Sequence, residues 1–174
     1  MTIEIRRLSA DDIRRHKDGL VELLRDAVDN GSSVNFIAPM DLGLAAAFWE
    51  RVAGDVEAGA RRVLAAFEGD TVMGSAQLVF AMQPNGPHRA EVQKVLVHTR
   101  ARRQGLASKL MYALEDQARV AGRFLLVLDT ERDSAGEKLY AQVGYVRAGV
   151  IPKFALLSDG KHYVDTVLFY KLLE

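Results

Sequence analysis

Apolar positions follow two rhythms along this chain, and the switches between them divide it into elements. Ile3 to Leu8 reads as a short strand, and Ser9, Ala10, Asp11 and Asp12 then have the form of a capping box opening a helix. Apolar residues at Ile13, Leu20, Leu23, Leu24, Ala27 and Val28 keep helical spacing until Asn30 and Gly31 stop it. Asp41 is placed to cap a second helix, whose stripe of Leu44, Ala45, Phe48, Val52 and Val56 ends at Gly59. The lone tryptophan, Trp49, falls in this helix as a core or pocket-wall residue.

The rhythm then changes. Arg62 to Phe67 and Thr71 to Phe80 are β-rich runs joined by Glu68, Gly69 and Asp70, which reads as a hairpin. The turn-forming Gln83 to Pro87 leads to a third run, Arg89 to Val97. From Gly105 to Ala121 the spacing of Leu106, Leu110, Leu114 and Ala118 is helical, and Gly122 ends it. Phe124 to Asp129 is an almost continuous apolar run, expected of a strand buried on both faces and reached by a right-handed parallel crossover. A short helix from Ser134 to Val143 closes at Gly144. A strand from Tyr145 to Val150, a loop from Pro152 to Gly160 and a last strand from Tyr163 to Tyr170 complete the chain. The order βααβββαβαββ predicts an α/β fold of the mixed α+β kind, with helices on both faces of the sheet. The sheet has about seven strands, mostly antiparallel, and about four helices flank it.

Composition narrows the function. A chain of 174 residues that is 49% hydrophobic can bury a proper core, and nothing divides it, so one domain spanning 1–174 is expected. Net charge is zero, which offers no broad basic face for nucleic acid. The absence of cysteine excludes disulfides, thiolate metal sites and an acyl-cysteine intermediate. No histidine pair has defensible metal spacing, so no metal is expected, and His88 and His98 read as solvated or structural strand-end residues. Without an apolar signal core or a run of membrane-spanning length, the expectation is a cytoplasmic protein that does not engage a membrane.

Chemistry concentrates between Val95 and Ser108. Helix starts favour acidic residues, yet Arg100, Arg102 and Arg103 crowd this one and no acid occupies its first turn. Backbone N–H groups around Gln104, Gly105, Leu106, Ala107 and Ser108 are suited to phosphate oxygens, with Gly105 allowing close approach and the arginines adding charge. Arg102 to Ala107 resembles the Arg/Gln-x-x-Gly-x-Gly/Ala pyrophosphate loop of the GCN5-related N-acetyltransferases, with the strand and helix of that family on either side. Ala107 stands where many of those proteins carry glycine, and it stays small. Ser134 to Tyr145 resembles the family's second signature, a short helix carrying a tyrosine, here Tyr140, followed by Gly144 and an aromatic residue. Pro84, Asn85 and Gly86 followed by Arg89 to Lys94 are similar to the tabtoxin-resistance branch, with a looser match at Ser33 to Phe36 and Pro152 to Asp165.

The resemblance implies direct acetyl transfer from acetyl-CoA to a primary amine. It implies that backbone N–H groups of Val95, Leu96 and Val97 meet the pantetheine and the thioester oxygen, and that Ser134 joins the cofactor contacts. Tyr140 would protonate the departing thiolate, a reasonable transfer between a phenol of pKa about 10 and a thiol of about 8.5. The amine must first lose a proton, to a carboxylate or a water chain, and Glu91 and Asp129 are the candidate carboxylates. Two-residue alternation puts Glu91 on the face of Gln93, Val95 and Val97. Asp129 ends an apolar strand, where open α/β sheets place ligands. With Phe36 these carboxylates are also the expected acceptor contacts. A small amine, such as an amino-acid-like antimetabolite or antibiotic, is the expected acceptor; a protein lysine or N-terminus, and a non-catalytic acyl-CoA sensor, are the rivals. Oligomeric state is not legible.

Overall fold

The computed structural model describes residues 2–174. Seven strands form one sheet in the order β1-β2-β3-β4-β5-β7-β6. They are β1 (Ile3–Leu8), β2 (Arg61–Glu68), β3 (Thr71–Phe80), β4 (Arg89–Val97), β5 (Leu125–Glu131), β6 (Val146–Leu156) and β7 (Tyr163–Leu172). Helices α1 (Ala10–Arg15), α2 (Lys17–Asp29) and α3 (Leu42–Glu57) come early, with α4 (Leu106–Val120) and α5 (Ala135–Gln142) between later strands. Only β4 and β5 run parallel, as the crossover through α4 requires.

Each face of the sheet has its own core. Ala76, Leu78, Ala90, Val92 and Leu126 meet Leu106, Leu110 and Leu114 of α4 and Tyr140 of α5 on one side. Val63, Ala65 and Phe67 meet Leu20, Leu24, Trp49 and Val52 of α2 and α3 on the other. The predicted caps form: Ser9 and Asp12 make the reciprocal capping box, and Asp41 Oδ1 accepts from the N–H of Leu44 at 2.8 Å.

Four expectations change. The first predicted helix is two, because the chain turns at His16, whose ring packs edge-on against Phe67 at 4.8 Å. β5 is not buried on both faces: Phe124 is half exposed against His88, while Leu126 and Leu128 alone are fully enclosed. β6 continues through Pro152 instead of ending before it. Edge position permits this, since β6 pairs only with β7 and a bulge at Ile151 to Ala155 absorbs the missing N–H.

The fourth change bears on function. Along β3 and β4, Ser75 faces Leu96 and Gln77 faces Gln93, so two steps on β3 match three on β4. The extra residue is a β-bulge at Lys94, whose φ is +50°. It resets the alternation. Ala90 and Val92 before it, and Val95 and Val97 after it, all belong to the α4 face, whereas Leu96 is buried on the α2–α3 face. Glu91 and Gln93 therefore lie opposite to Val95 and Val97, which corrects the shared face predicted from simple alternation.

Candidate acetyl-transfer site

The loop between β4 and α4 is pinned at one end and open at the other. Asp26 of α2 takes the N–H and the hydroxyl of Thr99, each at 2.8 Å, and His98 Nδ1 accepts from the N–H of Arg100 at 3.3 Å. Beyond this anchor Arg103 and Gly105 both adopt left-handed backbone, with φ +62° and +72°. Only at Gly105 is that conformation free of a β-carbon clash. α4 then starts with no side-chain cap and no acidic residue in its first turn. Among the described residues, no protein group accepts from the N–H groups of Arg103 to Ser108. A helix start that lacks protein partners and carries exposed arginines is chemically suited to an anion.

Next to this loop the sheet forks. The parallel ladder between β4 and β5 ends at Glu91 and Val127, and both strands run on without pairing each other. His98 N donates to Met73 O on β3, so by alternation the N–H groups of Val97 and Val95 face the fork. A cavity of about 390 Å³ fills it, walled by the segment after α2, β4, β5, the start of α5, and β6 with β7. Its size suits a small ligand.

The fork joins the two faces of the sheet. Tyr140 reaches the cavity from the α4–α5 side, where Gly136 lets α5 lie against β5: a β-carbon there would stand 2.6 Å from Thr130 Oγ1. Asp129 and Glu131 alternate with the buried Leu128 and so face the α2–α3 side with Glu91. Tyr140 is 8% exposed and lines the cavity, and its hydroxyl enters none of the side-chain hydrogen bonds among the described residues. Burial, and after it the charge of Asp129, holds the phenol well above its ordinary pKa, so it is a protonated donor. Asp129 accepts from Thr166 Oγ1 at 2.8 Å, which fixes its carboxylate. Burial raises the Glu131 carboxyl. It also pushes Lys94 down to about 8, helped by Arg61 and opposed by Glu91 and Asp129.

With this geometry in view, the sequence model of the acetyltransferase (GNAT) family matches residues 22–145. The chain belongs to the GNAT family. GNAT acetyltransferases are acetyl-CoA-dependent transferases. Solved structures agree on the GNAT fold. An N-acetyltransferase from Staphylococcus aureus Mu50 is 20% identical with a TM-score of 0.80, and the match covers 100% of both chains. The structure of yncA from Salmonella typhimurium, solved with its cofactor acetyl-CoA, is 20% identical at a TM-score of 0.77, covering 100% of this chain and 95% of that one. A ribosomal-protein-alanine N-acetyltransferase from Brucella melitensis is 22% identical at 0.77, covering 98% and 99%.

Within this GNAT fold, six of the residues singled out from sequence meet at the cavity: Glu91, Val95, Arg102, Asp129, Ser134 and Tyr140. Arg103 to Ser108 form the adjoining outer loop and do not line it. Arg102 folds back so that its Nε donates to the carbonyl of Val97 at 3.3 Å. Ser134 caps α5, accepting from the N–H of Glu137 at 3.2 Å. The Leu96 side chain is buried away from the cavity. Phe36 is not among the lining residues; its ring packs edge-on against Phe48 at 5.6 Å, while its neighbours Ser33, Val34 and Asn35 reach the cavity. Trp49 is fully buried, and His98 is a buried turn residue, in line with their structural readings.

Sequence reasoning passed over Lys94, Glu131 and Thr166. Glu131 has a signal, since it stands two residues beyond Asp129 on one strand face, but the apolar run that marks the strand in sequence stops at Asp129. Lys94 had none, because a bulge within a regular alternating run leaves no mark in the pattern. No described helix is long and apolar enough to cross a membrane.

Proposed function

We propose that this GNAT protein transfers the acetyl group of acetyl-CoA to the primary amine of a small molecule held in the fork between β4 and β5. One observation carries the reading. A proton donor from one face of the sheet, Tyr140, and carboxylates from the other, Asp129 and Glu91, share a single cavity beside a helix start without an acid. The donor's phosphates are assigned to the N–H groups of Gln104 to Ser108, with Arg102 and Arg103 adding charge. Its pantetheine is assigned to the open edge of Val95 to Val97, and Ser134 borders the same path.

In the transfer, the amine lone pair attacks the thioester carbonyl carbon, the C–N bond forms, and the C–S bond breaks with its electron pair on sulfur. Backbone N–H groups at the fork stabilise the charge on the carbonyl oxygen. Asp129, oriented by Thr166 and near enough to Tyr140 to influence its phenol, is the favoured acceptor of the amine proton, and Glu91 adds negative charge that attracts a cationic acceptor. Tyr140 donates its hydroxyl proton to the departing thiolate, and because burial makes its phenol a weaker acid than the thiol, the proton it yields is replaced by the one Asp129 took from the amine. A cavity of about 390 Å³ favours a small acceptor over a protein chain. The resemblance to the tabtoxin-resistance branch fits an amino-acid-like acceptor. A coenzyme A thiol-release screen over amino acids, polyamines, aminoglycosides and peptides tests this: release with small amines supports it. Release with peptides alone would favour the protein-acceptor reading, and acetyl-CoA binding without release would favour a sensor.

A further inference from the structure

We infer that the acceptor carries an anionic group of the carboxylate class beside its amine, as an α-amino acid does, and that Lys94 binds this group inside the cavity. The inference rests on the acetyltransferase reading above and names the acceptor that reading leaves open.

Lys94 is the inserted residue of the β4 bulge and holds a left-handed backbone, with φ +50°. Such backbone is unfavourable for a lysine, and bulges of this kind re-aim a side chain next to a site. The side chain lines the cavity, and its Nζ stands 5.5 Å from the centre of the Phe48 ring. Among the described residues, no carboxylate lies within 4.0 Å of it and no acceptor takes a hydrogen bond from it. Lys171, another half-buried lysine, shows the contrast: its Nζ donates to Glu115 at 2.8 Å and to the carbonyl of Val143 at 2.7 Å.

The charged groups that bear on Lys94 are Arg61 from β2, Glu91 on its own strand and Asp129 from β5. Glu91 and Asp129 share the cavity with Lys94 but stay out of contact with it. An ammonium has three donors to satisfy, and one half-buried without a protein acceptor is costly to keep charged. A polyamine would add positive charge and leave that cost in place. An acceptor with an amine and a carboxylate resolves both ends, its amine toward Asp129 and its carboxylate on Lys94.

Matched acceptors test this. Each of a panel of α-amino acids is compared with its amide and its decarboxylated amine by thiol release at saturating acetyl-CoA. Calorimetry with free coenzyme A present measures binding of the same compounds without turnover. For the wild type we expect kcat/KM at least about 30-fold higher for the best amino acid than for its decarboxylated amine, expressed mostly in KM. In Lys94→Met that ratio falls to within about three-fold, and Lys94→Arg, which keeps the charge, restores part of it and covers the case in which the methionine variant misfolds. A wild-type ratio near one, or a ratio retained in Lys94→Met, overturns the inference. If no amine releases thiol while amino acids still bind in a Lys94-dependent way, the transfer reading fails and the anion site stands. If no amino acid either reacts or binds, the inference is overturned too.

Discussion

Tyr140→Phe separates chemistry from architecture. Among the described residues the hydroxyl that this change removes enters no side-chain hydrogen bond, whereas the ring packs against Tyr145 and Phe169 with centroids at 6.0 and 6.2 Å. Phenylalanine keeps those contacts and leaves no polar atom unpaired, so the stability cost is expected to stay below about 0.5 kcal/mol. The loss in turnover follows from the leaving group. General acids contribute about 10² to 10⁴ in rate, and a thiolate whose conjugate acid has pKa about 8.5 leaves without much help. The effect therefore belongs at the low end, about 100-fold in kcat, or about 2.7 kcal/mol of barrier. It should shrink as pH rises past 8.5, where free thiolate is the stable product. The assay is continuous thiol release on an identified acceptor from pH 6.5 to 9.5, with a urea melt and an acetyl-CoA thermal shift on the same preparation. Unchanged turnover with unchanged stability would remove Tyr140 as the acid. A fall in turnover matched by a loss of several kcal/mol in stability would make it a packing residue.

Three further outcomes follow. Ser108→Glu places an acid in the first turn of α4, where the helix dipole favours it. We expect the free protein to gain about 0.3 to 1 kcal/mol in a urea melt while acetyl-CoA affinity, read by calorimetry, falls at least about ten-fold. Lys171→Met strands the Glu115 carboxylate, which is 4% exposed, with only Arg119 at 3.9 Å; a loss of about 3 kcal/mol is expected, with Glu115→Leu in the same chain recovering most of it. Lys94, held at about 8 in the fold against 10.5 unfolded, binds fewer protons folded than unfolded between those values. Wild-type stability should therefore rise relative to Lys94→Met as pH climbs from 8 to 10.5, by at most on the order of 3 kcal/mol, and a flat difference across chemical melts in that window would contradict the burial of this ammonium.

What the chain disclosed in advance was whatever rests on periodicity and punctuation. The α4 stripe, the Asp41 cap and the acid-free start after Gly105 are local patterns, and each occurs where its spacing implies. The faces of β4 were not legible in the same way. Alternation is a rule for an uninterrupted strand, and the bulge at Lys94 depends on how β3 and β4 register. Glu91 was thus assigned the wrong companions, and Lys94 was overlooked. Phe36 shows a further limit: its closeness in sequence to Ser33 and Asn35 says nothing of which of them face the cavity, since Phe48 on α3 captures the ring. Extension of β5 to Glu131 comes from pairing with β7, a partner remote in sequence, and that of β6 through Pro152 from the bulged hairpin it forms with β7.

The central claim is that acetyl-CoA docks on the α4 start and delivers its acetyl group through the β4–β5 fork to an amine. Single-turnover transfer of an isotopically labelled acetyl group from acetyl-CoA to a panel of α-amino acids, with products identified by mass spectrometry, tests it most directly. Label on the amine nitrogen of at least one acceptor, free coenzyme A in equal amount and no label retained on the protein are expected. Acetyl-CoA that binds and raises the melting temperature, yet passes no label to any amine, would contradict it.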